Sequence, residues 1–369
     1  VFSLDLFLLR QSINPVNALR PLLNRKKLHA KYARAFSLYR QSSGFKENMV
    51  FKGMQIGDLF EFKMQQLLQL NFPEFVHLIE SIEKLFEKNK PSGLLLWTDF
   101  IPFEKICALI AIKHKVPSIV VQHGMFPPPL YKGGFIRGFV PMTADKMAVW
   151  SNMFKKTLVE NGIAAGRVAV TGNPKFDSIY ESKFNEREFR RQLGIPAEKR
   201  IIVCATQPPV SISTPYQMVK LVLRALKKFP ECFLVVKPHP VERAGKYLEL
   251  VKRERNAIVL QKTNLYELLN AASAVIMHNS TVGYEAMLLG KPVILYATKP
   301  EILREYNLTD AVLKTKNQGQ LEEAVSCALE GGKKLGELRE KMRLFSHEIN
   351  FRGDGKATER IIELIKKTI

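Results

Sequence analysis

The sequence predicts an α/β protein built on parallel, doubly wound sheets in two domains. Three observations carry this. Short, continuous apolar runs rich in Val and Ile alternate with helical patterns along most of the chain, as parallel strands buried on both faces do. The length of 369 residues exceeds one ordinary core and suits two domains of roughly 150–200 residues. A content of 46% hydrophobic and 25% charged residues is that of a folded chain, not a disordered one.

The first ninety residues stand apart. From Pro15 to Lys90 the pattern is helical, with few strand signals. Between Asp5 and Glu47 there are nine Lys/Arg and no acidic residue, and Leu19–Arg40 mixes that charge with Leu, Tyr and Phe. Two readings stay open: a solvated helix face, or a surface that rests on anionic lipid or an acidic acceptor. The chain begins VFSLDLFLL, without Met, which suggests a fragment or a processed chain. Those residues are too short for a signal peptide and carry Asp5.

Strands are expected at Leu94–Thr98, Ser118–Gln122, Met147–Trp150 and Val168–Thr171. After a Gly-Asn-Pro turn and a charged helical run, a second series follows at Ile201–Ala205, Phe233–Lys237, Ala257–Leu260, Ala274–Met277 and Pro292–Tyr296. Helices are expected over Phe103–Lys115, Asn152–Asn161, Gln217–Lys228, Leu265–Ala271 and Val282–Leu289. The alternation places an N-terminal domain at 1–172, a C-terminal domain at 173–350 and a final helical segment at 351–369. The run from Gly331 to the end is strand-free.

Lys+Arg number 56 against 35 Asp+Glu, a net charge of +21, so an anionic partner is expected: nucleic acid, phospholipid or a phosphorylated substrate. No nucleic-acid motif accompanies the charge. The 4 cysteines, Cys107, Cys204, Cys232 and Cys327, form no CxxC, so neither a zinc site nor a disulfide framework is indicated. Three lie in apolar stretches and are expected to be buried. The longest apolar candidate, Ile106 to Val121, is broken by Lys113, His114 and Lys115, so no membrane span is expected.

Open parallel sheets bind ligands beyond the carboxyl ends of their strands, so the residues that follow each strand are the candidates. They are Asp99; Gln122-His123-Gly124; Thr171-Gly172-Asn173; Lys237-Pro-His239-Pro; and His278-Asn279-Ser280-Thr281, with Glu285 one turn further on. Polar residues at the same end of consecutive strands in both halves describe a cleft. Asn279, Ser280 and Thr281 are N-cap types, and free first-turn amides behind them form an anion site. An ordinary capping box explains the same residues. Lys237 and His239, stiffened by prolines, suit a diphosphate, although a proline-stiffened loop with an incidental His fits too. His123 at a strand end suits a general base on a hydroxyl, supported by Asp99 at the neighbouring strand end. None of His29, His77, His114 and His347 has a His or Cys partner at i+3 or i+4, so no protein-bound catalytic metal is expected, and Walker A, GxSxG and GxGxxG motifs are absent from the sequence.

The segments WTDFIPFE, VPSIVVQHG, RVAVTGNPKFD, FLVVKPHP, HNSTVGYEAMLLGKPVI and DGKATERI, in this order, resemble the GT-B glycosyltransferase superfamily over residues 94–369. Three groups within it are similar by pattern: surface and capsular polysaccharide transferases, CDP-glycerol glycerophosphotransferases, and non-hydrolysing UDP-N-acetylglucosamine 2-epimerases. The resemblance implies two Rossmann-like domains around a cleft, with the last helix crossing back to the first domain. It implies a nucleotide-activated sugar as substrate, no separate cofactor, and a glycan or lipid-linked acceptor. It assigns Lys237, His239, Ser280 and Thr281 to the nucleotide phosphates, Glu285 to the ribose and His123 to catalysis as base; the strand-end candidates Gly172, Asn173, His278 and Asn279 are expected beside them at the nucleotide, and Asp99 beside His123. The expected activity is metal-independent glycosyl transfer, with epimerisation or polyol-phosphate transfer as alternatives. Epimerisation by elimination and re-addition needs carboxylates around the sugar, where this chain has Gln122-His123-Gly124. The expected location is the cytoplasm, peripheral on the inner face of the plasma membrane.

Overall fold

A computed structural model describes residues 15–41, 50–51, 53–67, 72–124, 142–208, 214–298, 306 and 309–369. The opening VFSLDLFLL segment lies outside them. The described chain divides into two compact units, residues 1–94 with 99–118, and residues 95–98 with 119–369.

The first unit is helical. Helix α1 spans Pro15–Gln41, a two-residue hairpin pairs β1 (Val50–Phe51) with β2 (Met54–Gln55), and α2 (Gly57–Gln66), α3 (Phe72–Asn89) and α4 (Pro102–Lys113) follow. In α3 the apolar residues Phe75, Leu78, Ile79, Ile82 and Phe86 recur at helical spacing, and Ile82 and Phe86 are buried. Pro73 sits in its first turn, where the missing N–H costs nothing. Helix α3 packs against both α1 and α4. Lys113 pairs with Glu83 across that contact. On α1, Lys26, Lys27, Lys31 and Arg34 are exposed, a basic face with no buried partner surface.

Two sheets follow. The first has order β3-β4-β5-β6, from Leu94–Leu96, Ser118–Val121, Lys146–Val149 and Val168–Val170. Strands β4, β5 and β6 pair in parallel, with α5 (Asn152–Glu160) crossing between the last two. These four strands run in sequential order, so the sheet has no reversal among the described residues. The alternation of strand and helix patterns predicts parallel pairing but not strand order, which is why the expected double winding is met here only in its parallel pairing.

The short helices α6 (Asp177–Glu181) and α7 (Glu186–Gln192) lead to the second sheet. Its elements are β7 (Arg200–Ala205), α8 (Pro215–Leu226), β8 (Cys232–Lys237), α9 (Gly245–Val251) and β9 (Ala257–Val259). Then come α10 (Leu265–Ala271), β10 (Ala272–Met277), α11 (Val282–Leu288), β11 (Val293–Tyr296) and β12 (Leu313–Thr315). All neighbours are parallel, in the order β12-β11-β10-β7-β8-β9. Strand order therefore reverses between β7 and β10, the doubly wound arrangement that the sequence predicts. Strand β12, with only three residues and one buried position, was not expected from the sequence. The core of this sheet includes Ile202, Cys204, Leu234, Val236 and Ile276, packed under α8 and α12 (Gln318–Glu330). Burial pushes the Cys204 thiol up to about 12, so it is an inert packing group.

Helices α13 (Gly332–Ile349) and α14 (Ala357–Thr368) end the chain. The segment between them returns to the ends of the first sheet. Phe351 N donates to Trp150 O at 2.8 Å, just past β5, and Arg360 Nε donates to Thr171 O at 2.7 Å, just past β6. The Asp177 carboxylate accepts from the Ala357 and Thr358 amides at 3.0 and 2.7 Å, capping α14 from 180 residues away. The division at 172/173 expected from the sequence falls inside the second compact unit. No described helix is long and apolar enough to cross a membrane.

Candidate functional site

In a sheet whose strand order reverses, the flanking loops part and leave a crevice at the strands' carboxyl ends. Here the adjacent ends of β10, β7 and β8 deliver residues 278–281, 206–207 and 237–239 to that edge. Gln207 Nε2 donates to Asn279 Oδ1 at 2.7 Å, bridging the reversal.

His278 is 2% exposed, and its Nδ1 lies 2.5 Å from Tyr296 O. A carbonyl only accepts, so Nδ1 carries the proton. Burial lowers the His278 pKa below its usual value of 6.5, and the Tyr296 carbonyl opposes this in part. The imidazole fixes the loop after β10 through Nδ1, and its Nε2 is buried without a hydrogen-bond partner among the described residues.

Three amides at the start of α11 have acceptors within the turn. Ser280 Oγ accepts from Val282 N at 3.3 Å, Ser280 O from Gly283 N at 3.1 Å, and Thr281 O from Tyr284 N at 3.0 Å. The helix starts with a tight turn that uses the Val282, Gly283 and Tyr284 amides. Thr281 makes no side-chain cap.

Glu285 is fully buried. Its Oε1 lies 2.6 Å from Lys175 Nζ and 3.3 Å from the Tyr266 hydroxyl. Its Oε2 is buried without a hydrogen-bond partner among the described residues. Burial, with the Glu285 charge beside it, raises the Tyr266 phenol above its usual range, so this hydroxyl stays a donor. The Tyr266 hydrogen has its nearer acceptor in Lys175 O, at 2.8 Å, so one carboxylate oxygen is held by the Lys175 cation and the other has no partner among the described residues.

At the end of β8, Lys237 is half-buried and donates to the Pro238 and Gln261 carbonyls, each at 3.1 Å. Two of its three donors are used and one remains. Burial lowers its pKa from 10.5. His239 is exposed, and its Nδ1 accepts from Val241 N at 3.3 Å. That bond requires a lone pair on Nδ1, so the neutral ring carries its proton on Nε2, which presents a donor to solvent. Glu242 holds the turn. It accepts from Thr206 Oγ1 at 2.5 Å, the Tyr247 hydroxyl at 2.6 Å and His239 N at 3.1 Å. Burial pulls the Glu242 carboxyl up, but those bonds and Lys246 hold it below 4.5.

His123, at the end of β4, has the opposite arrangement. It is exposed, and its Nδ1 lies 3.0 Å from Trp97 O, so Nδ1 donates and the neutral ring keeps its lone pair on Nε2. The Trp97 ring meets it edge-on at 4.4 Å. Gln122 braces the segment: its Oε1 accepts from Trp150 N at 2.9 Å, and its carbonyl accepts from Trp150 Nε1 at 2.8 Å. Asp99 is buried and belongs to the first compact unit.

Gly172 and Asn173 face the C-terminal segment. Gly172 has φ +86°, and a Cβ there would stand 3.0 Å from Ala357 Cβ. Asn173 N donates to Asn350 Oδ1 at 3.0 Å. Their polar and steric surfaces serve this junction. Lys175, Tyr266 and Glu242 were not singled out from the sequence as site residues; Lys175 directly follows VTGNP and Glu242 lies two residues past KPHP. Among the described residues, no cluster of three or more His, Cys, Asp or Glu could hold a metal.

The model of the UDP-N-acetylglucosamine 2-epimerase family matches residues 45–366. The chain belongs to that family. Its fold is similar to UDP-GlcNAc 2-epimerase from Neisseria meningitidis, solved with UDP-GlcNAc bound, at 17% identity and TM-score 0.58, covering 83% of this chain and 88% of that one. It is similar to the wall teichoic acid polymerase TagF at 17% identity and TM-score 0.50, over 68% of each chain. In sequence it is 27% identical over 207 residues to the teichoic acid glycerol-phosphate primase of Bacillus spizizenii, covering 53% of this chain and 51% of that protein. The chain spans about half the length of the curated relatives it matches. The GT-B resemblance and the mixed α/β class with parallel sheets stand, and the family is one of nucleotide-sugar chemistry.

Proposed function

We propose that the protein is a metal-independent transferase that moves a sugar from a nucleotide-activated donor to a hydroxyl of a surface-glycan or lipid-linked acceptor. The observation that carries this reading is the pair of opposite histidine tautomers. His123 offers a lone pair on Nε2, as a general base needs, and His239 offers an N–H on Nε2, as a leaving phosphate needs. The acceptor oxygen attacks the anomeric carbon while His123 takes its proton. The bond from that carbon to the nucleotide diphosphate breaks, and Lys237 and His239 take up the charge on the departing oxygen. Glu285 Oε2 accepts from a ribose hydroxyl.

A second reading, epimerisation of UDP-N-acetylglucosamine, is favoured by the family match over 45–366. Against it, the sequence has no Asp or Glu between Glu104 and Asp145, the stretch that contains the HG histidine. Elimination and re-addition at the sugar needs carboxylates there. The test is incubation with UDP-GlcNAc in deuterated water without acceptor, followed by the same incubation with UDP-sugars or CDP-glycerol and glycan acceptors. Nucleotide release that requires an acceptor supports transfer. Isomerisation and deuterium uptake with UDP-GlcNAc alone sink it.

A further inference from the structure

We infer a second ligand site, in a cavity of about 430 Å³ bounded by α13, the end of α11 and the turn at 350–353, that takes a small polyol or sugar bearing a phosphomonoester. None of the strand-end residues 206–207, 237–239 or 278–281 lines it.

Its charge is one-sided. Arg339, Arg343 and His347 lie at i, i+4 and i+8 along α13 and so form one row, which Arg352 joins from the turn. No Asp or Glu lines the cavity. Arg343 is shared with Glu340, at 2.7 and 2.9 Å. Arg339 and Arg352 pair with no carboxylate among the described residues. Lys291 stands close by: burial lowers its pKa, and the Arg339 and Arg190 charges push the same way against Glu186. Planar guanidinium groups match the oxygen spacing of a phosphate, and these exposed arginines leave donors open to one.

The floor suits the rest of such a ligand. Met287, Leu288 and Met342 give it an apolar patch. Ser346 also lines the cavity, and its Oγ is buried without a partner. Asn350 lines the cavity too, with its Oδ1 already taken by Asn173 N.

Arg352 supplies an independent observation. Its φ is +64°, in the left-handed region that favours glycine, between Phe351 and Gly353 at φ +56°. Its guanidinium lies 5.0 Å from the Phe351 ring centroid. An arginine held where glycine is relaxed points to a use for its side chain.

The probe is glycerol 3-phosphate, titrated calorimetrically into the full chain with UDP present at saturation, and glycerol is the control. Saturable, salt-sensitive binding is expected, weakened about tenfold or more by Arg352→Gly and again by Arg339→Gln. Arg352→Gly relieves the backbone, so its urea midpoint should hold or rise, which separates lost binding from lost folding. UDP affinity, measured in parallel, should not change, so failure of the nucleotide site and failure of this one are distinguishable. Three results overturn the assignment: no saturable binding, competition with UDP, or binding indifferent to both substitutions. Sedimentation with phosphatidylglycerol vesicles that is lost in the variants, without glycerol 3-phosphate binding, reassigns the cluster to a lipid surface and likewise overturns it.

Discussion

Replacing Glu242 tests whether the turn after β8 is built as a phosphate-facing clamp. The Glu242 side chain is 3% exposed and accepts from two hydroxyls and one amide. Thr206 and Tyr247 are themselves buried, at 4% and 0%, so neither hydroxyl can turn to water when the carboxylate is removed. An unsatisfied buried polar group costs about 1–3 kcal/mol, and bonds to a charged acceptor sit at the upper end. With partial relaxation, Glu242→Ala should cost about 3–5 kcal/mol and Glu242→Gln about 1–3 kcal/mol, because the amide keeps one acceptor but turns a donor toward a donor. The assay is urea unfolding followed by UDP titration. Both variants should also bind UDP more weakly, because the His239 backbone loses its anchor and Nε2 loses its aim. The pH dependence has a definite sign. The folded carboxyl titrates below the unfolded value of 4.5, so on acidification the unfolded chain takes up its proton first. The contribution is therefore complete above pH 4.5 and is lost as pH falls through the folded pKa, where wild type and Glu242→Gln should converge. A Glu242→Ala protein within about 0.5 kcal/mol of wild type would refute the reasoning, since it leaves no energy in the network.

His123→Asn places an amide donor where Nδ1 stands, keeps the bond to Trp97 O and deletes the Nε2 lone pair; transfer should fall about 10²–10⁴-fold with UDP affinity unchanged, and retained turnover removes His123 as base. Gly172→Ala forces a Cβ onto a residue at φ +86° and 3.0 Å from Ala357 Cβ, so it should destabilise by at least about 1–2 kcal/mol in urea unfolding. His278 is buried with a folded pKa below 6.5, so the unfolded chain binds the extra proton first, and wild-type stability should decline below pH 6.5. His278→Asn, which keeps a donor for Tyr296 O, should lack that decline when the two unfolding curves are compared across pH.

The local physics of this fold is written in the sequence more plainly than its connections. Runs such as Ile201–Ala205 and Phe233–Lys237 leave no exposed face, so they can only be central parallel strands, and the structure places them at β7 and β8. Strand β12 escaped because three residues with one buried position carry too little apolar signal. Strand order is decided by which loops cross which face, and no residue pattern encodes that directly. The site shows the same split. KPHP and HNST were visible because their residue types are rare at strand ends. Their hydrogen-bond roles were not, because the tautomers of His123 and His239 depend on Trp97 O and Val241 N, which face the two rings only after folding.

The same split between residue type and hydrogen-bond role appears at Ser280 and Thr281. Both are N-cap types before a short helix, and propensity alone marks their neighbours as anion donors. In the fold those amides close the turn on Ser280 and Thr281 themselves. The polar work of that loop passes to Glu285, which lies one turn deeper and is fully buried. A carboxylate carried there would be prohibitive alone, yet Lys175 holds one oxygen and the other has no partner among the described residues. A buried acceptor with a vacant lone pair is tolerated where a ligand completes it. The loop after β10 therefore sets a buried, half-satisfied carboxylate one turn behind Ser280 and Thr281, and the Lys175 cation offsets the cost of burying it.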